Sequence, residues 1–187
     1  ERARDALRRA AAAASRATRL GAPLGSGEVG AEADRRWALE VAVRTLRVAR
    51  GDPRLPEGPV RLVEVEDDAG GPWPPYPRTA LPMALRAAGI QLSDDGDALV
   101  CVYSDIRAWK GRPGISAAAR QRVRETLAEH PEATVLLFSH PRLAGELPSA
   151  RHLLACWGGE GLMQEAAVAW LVGVRGGLAT ASGGFDR

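Results

Sequence analysis

Asp105, Arg107, Trp109 and Lys110 fall within one short stretch, "YSDIRAWKGRPG", directly after the apolar run "DALVCV". A carboxylate, a guanidinium, an indole and an ammonium in one loop suit a polyhydroxylated ligand. The indole covers a ring face and the polar groups take hydroxyls. The same residues also fit a loop stapled by an Asp105–Arg107 pair, with Trp109 packed on a neighbouring domain, and both readings stay open. Lys110 is the only lysine among 25 basic residues, which sets it apart from an arginine-rich background. Two further polar residues end apolar runs: His140 after "TVLLFS" and Glu160 within "WGGEG".

Ser139 and His140 suggest a nucleophile and its base, but neighbours on an extended strand point to opposite faces and no third member is evident. His140, next to Pro141, reads instead as a residue that caps, hydrogen-bonds or touches ligand. His140, His152 and Cys156 do not make a metal site. Four residues of strand span ~13 Å, whereas zinc ligands lie within ~2.0–2.3 Å of one ion. "GGEG", Gly158 to Gly161, joins a strand to a helix start, where backbone N–H groups can meet an anion. It has neither dinucleotide spacing nor a phosphate-loop lysine. Glu160 is then either a carboxylate favoured by the helix dipole or an acceptor for a sugar hydroxyl. "PWPPYP", Pro72 to Pro77, is stiff and reads as a lip of a crevice, a partner contact, or a cover over a sheet edge. No catalytic residue, metal or cofactor is assigned. The candidate ligand-binding set is Asp105, Arg107, Trp109, Lys110, His140 and Glu160.

The elements that must position these residues follow from periodicity. Val60 to Val65 alternates as a strand, Thr79 to Ala88 is a helix with Pro82 in its first turn, and "DALVCVYS" is a buried strand. Ser116 caps a helix running to about His130, where Pro131 stops it. "ATVLLFS" is a third strand, Pro141 to Leu147 a short helix, "HLLACW" a fourth strand, and Gly161 to Val172 a closing helix. Strands alternating with helices predict an α/β fold. Its mostly parallel sheet is covered by helices on both faces in a three-layer sandwich, because the runs Ala98–Val102 and Val135–Phe138 are apolar throughout. The loops after Val65, Tyr103, Phe138 and Trp157 then share the carboxyl-end rim, where ligands collect in such folds.

Two helices precede the sandwich: an Ala- and Arg-rich one over Glu1 to Leu20, and a second from about Ala31 to Arg50. "GAPLGSGEVG" between them is a linker by composition. The expected domains are 1–30, helix and flexible linker, and 31–187, the sandwich, with a loose tail over 174–187. With 187 residues, 45% hydrophobic and 26% charged, the chain can bury a real core. A net charge of +2 predicts no strong attraction to nucleic acid or membrane. No run approaches the ~18 apolar residues of a membrane span. Cys101 and Cys156 read as buried free thiols in a reducing, cytoplasmic compartment. A start at Glu1, directly in a helical pattern, predicts a piece of a longer protein.

"RRWALEVAVRTLRVAR", "ALVCVYSD" and "TVLLFSHPRLAGELPSARHLLACWGGEGLMQEAAVAWLVG" together resemble the carboxyl-terminal domain of glycoside hydrolase family 3, nearest its β-N-acetylhexosaminidase-like branch. Ala38 to Val43 stand where the family has a helix of the type A-L-A-x-E-A-V leading out of its barrel. Leu136 to Trp157 match its strand, proline turn, short helix and second strand. Met163 to Leu171 match its final helix. The likeness covers roughly residues 33 to 173 and lies in core and turn patterns. It implies an α/β sandwich that follows an amino-terminal (β/α)8 barrel. In that arrangement the nucleophilic aspartate and, in this branch, the histidine acid/base lie on the barrel. No K-H-F-P-G-H-G-like stretch is present here. Ser104-Asp105-Ile106 superficially resembles the family's nucleophile tripeptide but leads into the sandwich, with no barrel before it. The family's closing strand of the type G-R-L-P-V is also missing from "GVRGGLATASGGFDR". The resemblance implies an accessory domain that lines a carbohydrate crevice, packs on a barrel of the same parent protein and is inactive alone. A free-standing carbohydrate-binding or interaction module of the same fold is the alternative.

Overall fold

A computed structural model describes residues 32–67, 74–105 and 110–175. The chain divides into two compact units, Glu1–Trp37 and Ala38–Arg187, and the second holds the whole sheet. Its elements are helix α1 (Glu32–Thr45, whose first residues belong to the other unit), strands β1 (Arg47–Arg50) and β2 (Val60–Glu66), helix α2 (Ala80–Ala87), strand β3 (Asp97–Tyr103), helix α3 (Ala117–Glu129), strand β4 (Thr134–Phe138), a 3-10 helix (Pro141–Glu146), strand β5 (His152–Ala155) and helix α4 (Gly161–Arg175). The sheet order is β1-β5-β4-β3-β2. The pairs β2–β3, β3–β4 and β4–β5 are parallel, and β1 runs antiparallel to β5.

The expected α/β sheet, mostly parallel, is what forms. Every residue of β4 is buried, and so is all of β3 after Asp97, as their unbroken apolar runs require. Alternate side chains leave opposite faces of the sheet. Leu99, Cys101, Tyr103, Leu136 and Phe138 pack in one cluster with Leu81 and Leu85 of α2 and with Ala166, Ala167 and Leu171 of α4. Val100, Val102, Val135 and Leu137 pack in another with Ala119, Val123 and Leu127 of α3. The Ser116 cap forms as the sequence predicts, its hydroxyl accepting from Ala119 N at 3.1 Å.

One expectation is corrected. The second helix does not run on to Arg50: it ends at Thr45, and Arg47–Arg50 is an edge strand. The switch is stabilised far along the chain. The Arg50 guanidinium donates at 2.7 Å to the carbonyls of both Leu147 and Ala150, which no helical extension would allow it to reach. The expected helix and linker over 1–30 and the tail beyond residue 175 lie outside the described residues. Among the described residues, no helix is long and apolar enough to cross a membrane.

Because the four strands from β2 to β5 run the same way, their carboxyl ends share one edge, and the loops after them converge there. Leu136, at the middle of the central strand and fully buried, is the residue on which both neighbouring strands rest. Leu136→Ala is expected to cost about 3 kcal/mol of unfolding free energy, read as a lowered urea midpoint with an unchanged m-value.

Candidate functional site

Asp67 follows β2 immediately, and its N–H still pairs with the Tyr103 carbonyl at 2.9 Å, so the carboxylate is carried to the rim by the sheet itself. One carboxylate oxygen accepts from the Ser104 hydroxyl at 2.8 Å, and the other accepts from Arg112 Nη2 at 2.8 Å. The Ser116 N–H, at the start of α3, lies 3.4 and 3.3 Å from the two oxygens. Lys110 Nζ stands 3.7 Å from Asp67 and donates to the Ser104 hydroxyl at 3.4 Å. The two side chains are almost sealed from water, Lys110 at 2% exposure and Asp67 at 3%. Burial alone would push the Asp67 carboxyl up; hydrogen bonds from Ser116, Ser104 and Arg112 outweigh it and hold the group below the ordinary aspartate value.

A second fastening is uncharged. Gln164, fully buried on α4, accepts from the Leu81 N–H at 3.0 Å and donates to the carbonyls of Pro77 at 2.8 Å and Gly159 at 2.7 Å. It therefore ties the segment entering α2 and the glycine turn before α4 to one side chain. Gly159 is needed there: a Cβ would stand 3.0 Å from Arg78 Nη1 and 3.2 Å from the Tyr103 ring. The Arg78 guanidinium sits 3.5 Å over the Tyr103 ring, which stacks in turn on Phe138 at 4.6 Å, and Arg78 pairs with Glu66. Burial raises the Tyr103 hydroxyl well above its ordinary value, so it stays protonated. Burial also raises the Glu64 carboxyl, against the pull of Arg78.

At the ends of β4 and β5 the arrangement is more open. Ser139 is buried and donates to the Ser104 carbonyl, whereas His140 is exposed, so adjacent residues do face apart. His140 Nδ1 accepts from the Arg142 N–H at 3.2 Å and caps the 3-10 helix. Its ring meets Trp157 edge-on, with centroids 5.4 Å apart and planes at 71°. Trp157 adopts φ +63 and donates Nε1–H to the Thr45 carbonyl at 2.8 Å.

The sequence-predicted residues thus scatter along one rim. Asp105 lies half-buried directly after Ser104, and Lys110 is turned inward onto Asp67. His140 and Glu160 are exposed, with the Glu160 carboxylate lying over Gly158 at the start of α4. Arg107 and Trp109 lie outside the described residues. Both ring nitrogens of His152 are engaged: Nδ1 accepts from Asp52 N at 2.9 Å, and Nε2 lies 3.1 Å from Glu132. Among the described residues no three His, Cys, Asp or Glu side chains gather as metal ligands. Sequence reasoning missed Asp67, Arg78, Trp157 and Gln164. The acidic end of "VRLVEVED" was a usable signal for Asp67; nothing local marked Gln164 as buried.

No family model matches the chain, and neither does any curated protein. Among solved structures, a glycoside hydrolase family 3 β-N-acetylglucosaminidase from Paenibacillus sp. str. FPU-7 superposes with a TM-score of 0.59 at 14% identity, over 82% of this chain and 33% of that one. This chain has the fold of one part of that enzyme. A β-glucoside phosphorylase, BglX, bound to 2FGlc, also aligns, with a TM-score of 0.49 at 16% identity, over 76% of this chain and 30% of that one. The chain therefore spans about a third of the length of the proteins it resembles.

Asp67→Asn removes the carboxylate charge that faces the buried Lys110 ammonium and Arg112 and is expected to cost about 3 kcal/mol in chemical denaturation. Because folding lowers the Asp67 pKa, its contribution is fully present above the unfolded value and is lost as pH falls through the folded one. The wild type should therefore lose stability below about pH 4 more steeply than Asp67→Asn. Gln164→Leu strands one buried N–H and two carbonyls and should cost about 2–3 kcal/mol with no such pH dependence.

Proposed function

We propose that this chain is the second, accessory domain of a family 3 glycoside hydrolase of β-N-acetylhexosaminidase-like type. It packs on an amino-terminal (β/α)8 barrel of the same parent protein and walls the carbohydrate crevice. The observation that carries this reading is the fold shared over 82% of the chain with only 33% of a β-N-acetylglucosaminidase. The resemblance of the quoted strand, turn and helix stretches points the same way. Asp105, Arg107, Trp109, His140 and Glu160 are the proposed contacts to the sugar, and Lys110, turned inward, belongs to the site only as the anchor of its loop. Lys110 anchors its loop through Asp67, while the exposed His140 and Glu160 offer groups for hydroxyls. Two free, buried thiols support a reducing, cytoplasmic setting.

The chemistry divides accordingly. A retaining glycosidase sets two carboxyl groups about 5–5.5 Å apart across the scissile bond, one as nucleophile and one as acid/base. Asp67 cannot serve, because both of its oxygens are occupied and the group is sealed. In the proposed arrangement the barrel brings the reacting groups, and this domain orients the sugar and excludes water at one side. The chain alone should give no turnover of an aryl N-acetylglucosaminide above the uncatalysed rate. Clear turnover, abolished by Asp105→Asn, would sink the accessory reading.

A further inference from the structure

Trp157 is a bulky residue in a backbone conformation that L side chains rarely adopt, φ +63. Gly158 and Gly159 follow it, so the strand-to-helix turn is one where a glycine would meet the same φ without penalty. Burial does not explain the choice, since 44% of Trp157 is exposed. Its one polar atom is already used: Nε1–H is tied to the Thr45 carbonyl, which fixes the ring and leaves the indole surface as what it offers to solvent. Non-glycine residues held at such angles collect at ligand sites, where the surrounding structure maintains them.

Two polar groups stand near Trp157: His140 against its ring, and Glu160 over the adjoining Gly158. Because His140 Nδ1 accepts from the Arg142 N–H, the neutral imidazole carries its proton on Nε2 and presents a donor. Glu160, three residues beyond Trp157 and exposed, presents acceptor oxygens over Gly158. An apolar face flanked by one donor and one acceptor matches a pyranose ring, whose axial C–H groups are apolar and whose equatorial hydroxyls both give and take hydrogen bonds. A purely apolar partner would leave the donor and acceptor unpaired, and a purely ionic one would leave the indole idle.

We propose that Trp157, flanked by His140 and Glu160, is a stacking platform for one pyranose unit of a β-linked oligosaccharide. The choice of sugar rests on the crevice-wall reading above; the platform itself rests on the geometry of Trp157. The test is a titration of the isolated chain with the β-1,4-linked tetrasaccharide of N-acetylglucosamine, followed through indole N–H signals in nitrogen-15 correlation spectra. The sequence has five tryptophans, and the Trp157 signal is identified by its loss in Trp157→Phe.

The Trp157 signal should shift saturably. Trp157→Ala should weaken binding by about tenfold, and Trp157→Phe, which restores an aromatic face, should recover most of it. A Trp157 signal unmoved at saturation, or an unchanged affinity in Trp157→Ala, overturns the platform. Should Trp157→Ala fail to fold, the wild-type signal decides alone. An absence of binding to the wild-type chain also overturns the proposal. Hydrolysis by the chain alone is a separate readout, so the platform and the accessory reading can fail independently.

Discussion

A carboxylate with almost no access to water governs the rim of this domain. Desolvating Asp67 costs several kcal/mol, and its carboxylate stays ionised because its hydrogen-bond partners are in place together. Those partners come from separate parts of the chain: Ser104 after β3, Lys110 and Arg112 from the loop beyond it, and Ser116 at the start of α3. Each hydrogen bond to the charged group returns about 1.5–3 kcal/mol, enough in sum to offset the burial but not to leave a large surplus. The cluster is therefore better understood as fixing where the loop goes than as a source of stability. It decides that the only lysine in the chain points inward.

The neutral fastening at Gln164 complements this. Three backbone groups from α2, the segment before it and the glycine turn find their partner in one amide, which carries no charge to titrate. One side of the rim is thus held by electrostatics that weaken in acid, the other by hydrogen bonds that do not. Between them stands the Arg78–Tyr103–Phe138 stack, whose flat contacts explain why the residue facing it at position 159 is glycine.

How far the sequence could be read depended on the range of the forces involved. Strands β3 and β4 were legible because full burial demands unbroken apolar runs, and the Ser116 cap because its bond spans three residues. Strand β1 was not. Arg47 and Arg50 look like helix surface, and what makes Arg50 part of an edge strand lies 97 residues away at Leu147. Asp67 was hidden in the same way, with partners 37 to 49 residues on. Lys110 was conspicuous by type, yet its direction depends on that unseen carboxylate. The positions of His140 and Glu160 at the rim followed from strand ends alone, so the outline of the site was legible while its wiring was not.

The carboxyl groups at this edge show why a rim can look like half an active site. Burial pushes Glu64 up while hydrogen bonds pull Asp67 down, and two carboxyls displaced in opposite directions are the usual mark of an acid/base pair. The geometry removes that reading here. Asp67 is fully committed to its partners, and its lowered value is the consequence of that commitment rather than of readiness to react. Glu64, on the sheet face where Cys101 and Tyr103 are packed, is raised by burial against the pull of Arg78. The exposed groups at the rim are His140 and Glu160, and neither belongs to that displaced pair.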